Sequence, residues 1–495
     1  MTFLKRSGRW ILVVIPLAFG CTGATVTRSP ADLVPAALVA SKSVEERYRY
    51  DAEARLKAGL GFGYLAAVRE NGKTAKVALG ARSIEPKRPL AATDLFEIGS
   101  VSKAFTGILI HLAEAEGKLR IDQPLEAFFP ELKGVETGII TLRELGTHRA
   151  GLPSFPDGVK SPDPKNPWAG LKRDEVLGAL ARYQRAPIPA GQTAYPRAYS
   201  NWGFLTLGLV LENVYGKSYP AIVEKRLLSP LGMHESGVDR KTRKRRRWIS
   251  KLAPAFDLAG QPSPAWDFDG FAAAIGGIES NAADMAKFLE ALESPPRGKH
   301  GKIGSAIEAS FASGIGWDSD PGAPLARKNG MTGSYAAFVA IDRPAKKAIF
   351  VGANAAVSPD DLGTFALGGA PGDALLARAT APRVPSEEEV SRLKGRFRNP
   401  KPDADPAIPL RGIAVAESLG RLVGRYDFGD SSAAILLVPA EREDVWNLID
   451  GLTNVDAIRV LKAGVRTTLT DSTHTAVIEL EKIPDEVQQF PALEK

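Results

Sequence analysis

Phe96-Glu97-Ile98-Gly99-Ser100-Val101-Ser102-Lys103 is the stretch on which the reading of this chain turns. An extended, apolar-rich segment ends here and a long amphipathic helix begins. Phe105, Ile108, Leu109 and Leu112 recur at helical spacing over 100–116, and Gly117 follows as a stop. Positions three apart share a helix face, so Lys103 can reach Ser100. A serine hydroxyl is a poor nucleophile at neutral pH unless a nearby base takes its proton. The first helical turn also directs unpaired N–H groups and partial positive charge at Ser100, favouring negative charge there. One segment therefore offers a nucleophile, a base and an anion-stabilising site. A helix cap followed by a surface lysine gives the same Ser-x-x-Lys pattern, so the assignment needs further motifs.

Two are present. Tyr199-Ser200-Asn201 follows the Pro/Gly-rich approach Ile188-Pro189-Ala190-Gly191 and precedes a helix-like run from Trp202 to Tyr215. Lys328-Asn329-Gly330 precedes a strand-like run from Tyr335 to Ile341. In this order and with these contexts, the chain resembles the serine β-lactamase and penicillin-binding protein superfamily. The Tyr-Ser-Asn form of the middle motif is similar to the class C β-lactamases and their DD-peptidase relatives. Thr147-His148-Arg149-Ala150-Gly151-Leu152-Pro153, Ser229-Pro230-Leu231-Gly232-Met233 and Gly276-Gly277-Ile278-Glu279-Ser280 before Asp284-Met285-Ala286 add to the resemblance, which spans residues 45–380.

The resemblance implies an acyl-enzyme on Ser100, with Lys103 and Tyr199 moving protons. Burial and a second nearby cation would favour a neutral Lys103 amine able to accept the serine proton. Two nearby lysines would lower the Tyr199 pKa and favour its phenolate. Asn201 would hold the substrate amide and Lys103. Lys328, with Asn329 and Gly330, would line the substrate site, the lysine orienting a substrate carboxylate. Asn329 stands where the family has Thr or Ser, exchanging a hydroxyl donor for an amide. The oxyanion hole would be the backbone N–H groups of Ser100 and Met331. No cofactor is expected. The five histidines show no metal spacing, there is no Gly-x-Ser-x-Gly elbow, and neither a cysteine cluster nor His-Glu-x-x-His occurs.

The chain of 495 residues is too long for one ordinary core and implies two or three domains. Its net charge of +7 permits contact with anionic surfaces. No basic helix interleaved with aromatics suggests base stacking, so nucleic acid is not an expected partner. The Gly59-Leu60-Gly61-Phe62-Gly63 run lies after a helix and before a strand, the wrong order for a dinucleotide loop. Lys241, Arg243, Lys244, Arg245, Arg246 and Arg247 read as a solvated loop, the sharper alternative being contact with anionic lipid or cell-wall polymer.

At the N-terminus, Lys5, Arg6 and Arg9 precede an apolar run from Trp10 to Phe19, too short to span a bilayer. It ends at Gly20-Cys21, and Cys21 is the only cysteine, so no internal disulfide can form. A lone thiol just after such a run resembles a bacterial lipoprotein cleavage site. The expectation is a signal peptide over 1–20 and a lipid-anchored tether over 21–42, facing the periplasm. Thr22 implies the outer membrane in a Gram-negative host. The alternative is ordinary cleavage near Ala18-Phe19-Gly20.

Strands at both ends with helices between them predict an α+β hydrolase domain over 43–384: an antiparallel sheet flanked by helices, with an all-helical subdomain. Asn71-Gly72 marks a hairpin between strands at Tyr64–Val68 and Thr74–Leu79. Pro385 to Val390 reads as a boundary. Short alternating runs beyond it, at Ile435–Val438, Ile458–Leu461, Thr467–Leu469 and Ala476–Leu480, predict a small β-rich accessory domain over 385–495, compatible with a lipocalin-like barrel. The implied substrates are β-lactam or D-alanyl amide bonds. A peptidoglycan DD-carboxypeptidase or endopeptidase, an esterase on the same fold, and a non-catalytic binder are the alternatives.

Overall fold

The computed structural model describes residues 2–6, 9–13, 42–163, 166–238, 250–293, 298, 300–369, 383–402, 410–428, 432–440, 444–450, 456–461, 464–470 and 475–483. Cys21, the tether and the basic run at 241–247 lie outside them. Thr2–Arg6 and Arg9–Val13 pair as a short antiparallel hairpin. Among the described residues, no helix is long and apolar enough to cross a membrane.

The architecture is α+β with an added β-rich domain. Helix α1 (Val44–Lys57) starts at a capping box, in which Ser43 and Glu46 satisfy each other's backbone N–H groups. Strands β1 (Gly63–Glu70) and β2 (Lys73–Ser83) follow. Asn71 and Gly72, at φ 50° and 78°, give the hairpin turn its two left-handed residues. The sheet is completed by β3 (Arg88–Pro89) and, far along the chain, by β4 (Leu325–Met331), β5 (Ala336–Asp342) and β6 (Lys347–Ala353), in the antiparallel order β4-β5-β6-β1-β2-β3.

Both faces of this sheet are covered, and alternation along β5 shows it. Ala336, Phe338 and Ala340 pack with Val44, Tyr48, Ala52 and Leu362 under α1 and the helix Asp360–Ala366. Ala337, Val339 and Ile341 face the larger core, which includes Phe288 of the helix Ala282–Glu293. That core also contains apolar residues of the helix Ser102–Ala115, whose buried side carries Ser102, Lys103, Thr106 and His111 as well, and of the helix Asn201–Tyr215, which Ser200 caps by accepting the Gly203 N–H.

Past residue 386 the chain forms a helix, Glu387–Leu393, and then a closed eight-stranded barrel. Pro385–Val390, read as a boundary, therefore also opens a helix. Ser386 and Glu389 form a capping box, and the consecutive glutamates complement the positive end of the helix. The barrel strands are Gly395–Arg398, Gly412–Ser418, Arg421–Asp427, Ser432–Pro439, Val445–Ile449, Asp456–Leu461, Gly464–Thr470 and Thr475–Ile483. Each pairs with the next and the last closes on the first. Ile435 and Leu437 point into the barrel, while Leu436 and Val438 pack outward against Leu60, Leu258 and Val357 of the first domain.

Candidate active site

Ser100 does not open the long helix. It sits in a separate 3-10 turn, Gly99–Val101, immediately before it. Gly99 adopts φ 49°, a conformation that favours glycine. The turn is held from one side by Ile98 N–H donating to Ile278 O (3.0 Å). From the other side β4 lies flush against it. A Cβ at Gly330 would fall 2.2 Å from Ile98 O and 2.6 Å from Ser100 N, and one at Gly99 would fall 2.7 Å from Met331 N. Only two glycines allow the Met331 backbone to approach Ser100 this closely, as the expected oxyanion pair requires. Gly330→Ala must push backbone apart here. Thermal unfolding should show a loss of about 2 kcal/mol, the usual range for overpacking, with turnover falling further than stability.

Lys103 is completely buried. Its Nζ lies 2.9 Å from Ser100 Oγ, 2.7 Å from Asn201 Oδ1 and 2.6 Å from Ile275 O. The last two atoms can only accept. A neutral amine has two hydrogens, and these two acceptors take both. Its lone pair is then left for the Ser100 hydroxyl. Burial pushes the Lys103 pKa well below the ordinary lysine range, with the Lys328 charge adding to the fall and Asp318 opposing it. Once neutral, as burial favours, Lys103 is placed to act as the base toward Ser100. Asn201 in turn donates from Nδ2 to Ser154 Oγ (3.1 Å), which fixes its oxygen toward Lys103.

Tyr199 OH is 2.6 Å from Ser100 Oγ. Lys103 and Lys328 flank its ring, each with Nζ 5.1 Å from the centroid. The expected phenolate is nevertheless corrected. Burial drives the Tyr199 pKa far above its ordinary value; the Ser100 hydrogen bond and Arg197 only partly oppose this, and Asp318 adds to it. Tyr199 is half-buried, which tempers the rise. The phenol is thus a proton donor to Ser100 Oγ while the serine proton points at Lys103. His148 packs against Tyr199 at a tilt, with ring centroids 4.6 Å apart, and accepts the Ser200 N–H at Nδ1 (3.1 Å). Burial, reinforced by Lys328 and Lys103, keeps this imidazole neutral, so its role is to hold the Tyr-Ser-Asn segment.

Lys328 is where sequence reasoning fell short. It is completely buried, and its Nζ is 2.8 Å from both carboxylate oxygens of Asp318. Arg197 Nη2 reaches the same carboxylate at 3.1 Å. Burial alone would raise Asp318, but Lys328 and Arg197 hold it at about 2. The Lys328 charge is therefore matched within the protein. Asn329 is also engaged, donating from Nδ2 to Asp360 Oδ2 (2.7 Å). Burial raises Asp360 to about 6 despite the bonds from Asn329 and Ser358. A carboxyl raised in the folded state stabilises it fully below the unfolded pKa of 3.8 and loses that contribution as pH rises through about 6. Asp360→Asn should flatten the stability profile across this window, as followed by thermal unfolding.

Ser100, Lys103, Tyr199, Asn201 and Lys328 thus come together in one cluster, with Gly330 and Met331 beside it, whereas the Asn329 side chain is turned to Asp360. Asp318 and Arg197 were missed. Arg197 stands two residues before Tyr199, but no spacing links Asp318 to Lys328, since they meet only through the fold. Among the described residues, no group of three or more His, Cys, Asp or Glu side chains could hold a metal ion.

A family model described as Beta-lactamase matches residues 51–370, well over half the chain and including every one of these groups. The chain belongs to the Beta-lactamase family. It is a serine hydrolase. It is 28% identical over 274 residues to a β-lactamase of Pseudomonas fluorescens, covering 52% of this chain and 70% of that protein. It is likewise 28% identical over 235 residues to a β-lactamase of Escherichia coli K12, covering 47% and 57%. In structure it is similar to a class C β-lactamase solved with cefoxitin, with TM-score 0.57, 23% identity, and coverage of 66% of this chain and 97% of that one. A D-alanine carboxypeptidase from Burkholderia cenocepacia shares the fold at TM-score 0.54 and 20% identity, covering 66% and 98%. The family match ends at residue 370, before the barrel.

Proposed function

We propose that this family member hydrolyses β-lactam or D-alanyl amide bonds through an acyl-enzyme on Ser100. The observation that carries the reading is the set of three contacts at buried Lys103, which leaves a lone pair for the Ser100 proton once the amine is neutral. Ser100 Oγ attacks the carbonyl carbon as its proton passes to Lys103. Backbone N–H groups of Ser100 and Met331 receive the oxyanion. The C–N bond breaks, Tyr199 protonates the leaving nitrogen, and the Lys103 ammonium restores the phenol. Water then attacks the ester, giving a proton back to this pair, and Ser100 leaves as the hydroxyl.

A second reading, ester hydrolysis, is favoured by the engagement of Lys328 with Asp318 and of Asn329 with Asp360, because both were the expected readers of a substrate carboxylate. Three assays separate these readings: nitrocefin opening, D-alanine release from a muropeptide, and p-nitrophenyl ester cleavage. Nitrocefin or muropeptide turnover supports the first reading. Ester cleavage alone replaces it with the second, and inactivity in all three contradicts both.

Export as a lipoprotein is part of the proposal, supported by Lys5, Arg6, Arg9, the Trp10–Phe19 run and Cys21. The matching partner is a membrane surface on the periplasmic side. Radiolabelled palmitate should enter the wild-type chain and not Cys21→Ser; equal labelling of both would remove the anchor.

A further inference from the structure

A strap, residues 253–268, runs from the barrel to the active site. Its hairpin pairs Ala255–Phe256 with Pro262–Ser263. The turn is built on Asp257, whose Oδ1 accepts the N–H groups of Ala259 (2.9 Å) and Gln261 (3.0 Å). The barrel grips this turn. Arg425 Nη2 bonds Asp257 Oδ2 at 2.6 Å, Ser418 Oγ donates to Ala259 O at 2.7 Å, and Arg421 donates to Leu258 O at 3.3 Å. Leu258 and Ala259 are buried against Val423, Leu436, Val438 and Ile449 on the outside of the barrel.

The other end of the strap reaches the catalytic groups from two sides. The Ser263 and Ser334 hydroxyls are hydrogen-bonded. The Trp266 indole nitrogen lies 2.7 Å from where a Cβ at Gly333 would be, so the ring rests on the turn that follows Met331. Phe268 packs on Gly276 and Gly277, just after Ile275, whose carbonyl holds Lys103. Trp266 and Phe268 also contact each other, with ring centroids 6.2 Å apart. Phe268 is buried, whereas Trp266 keeps part of its surface open.

We propose that the C-terminal barrel is a positioning element of the active site: through the Asp257–Gly260 turn it holds Trp266 as an aromatic wall that selects the acyl group. Arg425 is a positioning residue acting through the strap, and Arg421 assists it while also donating to Gly59 O at 2.5 Å. The inference rests on the acyl-hydrolase reading only for its kinetic arm.

The test uses the full chain carrying Arg421→Ala with Arg425→Ala, and separately Arg425→Lys. Substrates are p-nitrophenyl acetate and p-nitrophenyl phenylacetate. Trp266 is followed by 19F NMR of 5-fluorotryptophan protein, its resonance assigned through Trp266→Phe. The double variant should raise KM for the phenylacetyl ester about tenfold, as a displaced positioning contact does, with KM for the acetyl ester and kcat little changed. The Trp266 resonance should shift or broaden, and Arg425→Lys should retain most of the wild-type KM. If the double variant does not fold, Ser418→Ala, which removes one hydrogen bond to the turn, is read by the same criteria with a smaller change. A folded variant with an unmoved Trp266 resonance, or with equal losses on both esters, overturns the inference. A wild type inactive on both esters removes the ester reading and the kinetic arm alone, because the Trp266 resonance still decides the role of the barrel.

Discussion

Lys103→Met leaves the Ser100 hydroxyl without an acceptor for its proton, and kcat/KM for an ester or lactam falls about a thousandfold, the weight general-base catalysis ordinarily carries. Methionine fills much the same buried volume, so the cavity term is small. The cost to stability comes from Asn201 Oδ1 and Ile275 O, which lose their donor. Leaving buried acceptors unpaired costs about 1–3 kcal/mol each. Steady-state kinetics and thermal unfolding therefore diverge, with activity nearly abolished while the chain stays folded. Tyr199→Phe is milder, because it removes a donor to the Ser100 oxygen and to the leaving group while Lys103 remains in place.

Asp318→Asn has the largest expected effect on stability. It leaves the fully buried Lys328 with an amide in place of a bidentate carboxylate. Breaking one side of a buried pair typically costs about 3–5 kcal/mol. Asp318 retains a fifth of its side-chain exposure, which places the loss near the bottom of that range, about 3 kcal/mol. The pH dependence has a defined sign. Asp318 is depressed from 3.8 to about 2 in the fold, so its contribution is present above 3.8 and is lost as pH falls toward 2. Wild type should thus lose stability over that interval, and Asp318→Asn should lose less of it. A double variant, Asp318→Asn with Lys328→Met, should recover part of the loss by removing the stranded charge. If Asp318→Asn unfolds at the wild-type temperature at pH 7, the ion pair carries no such weight.

The catalytic trio was legible because each member belongs to a short local pattern with a structural reason: a turn before a helix for Ser100 and Lys103, a capped helix start for Tyr199, Ser200 and Asn201. The hairpin at Asn71-Gly72 and the strands flanking the chain were legible on the same grounds, since turn chemistry and period-two alternation are local. The four runs expected to be strands beyond residue 430 are strands, but their closure into a barrel depends on pairing between Gly395–Arg398 and Thr475–Ile483, which no local pattern announces. The Ser386–Glu389 capping box was also readable, although only a boundary was read at Pro385–Val390.

What escaped the sequence is what the fold brings together over long separations. The Lys328 charge was expected to face substrate, and it faces Asp318, which stands across from it on a neighbouring loop. The Tyr199 phenol was expected to ionise between two lysines. Burial and the Asp318 carboxylate outweigh that pull, because desolvation of a phenolate costs more than two partly compensated cations return. Asn329 was expected in the substrate site, and strand alternation beside the buried Lys328 turns it toward Asp360 instead. None of these outcomes can be assigned without knowing which charges share a low-dielectric pocket.

The central claim is that neutral Lys103 takes the Ser100 proton. The most direct measurement is the pH dependence of Ser100 acylation by benzylpenicillin, read as adduct mass over time in wild type, Tyr199→Phe and Lys103→Met. Wild type and Tyr199→Phe should share an acid limb set by an ionisation well below the ordinary lysine value, and Lys103→Met should lack it. An acid limb that survives in Lys103→Met and vanishes in Tyr199→Phe would contradict the claim and make the phenol the base.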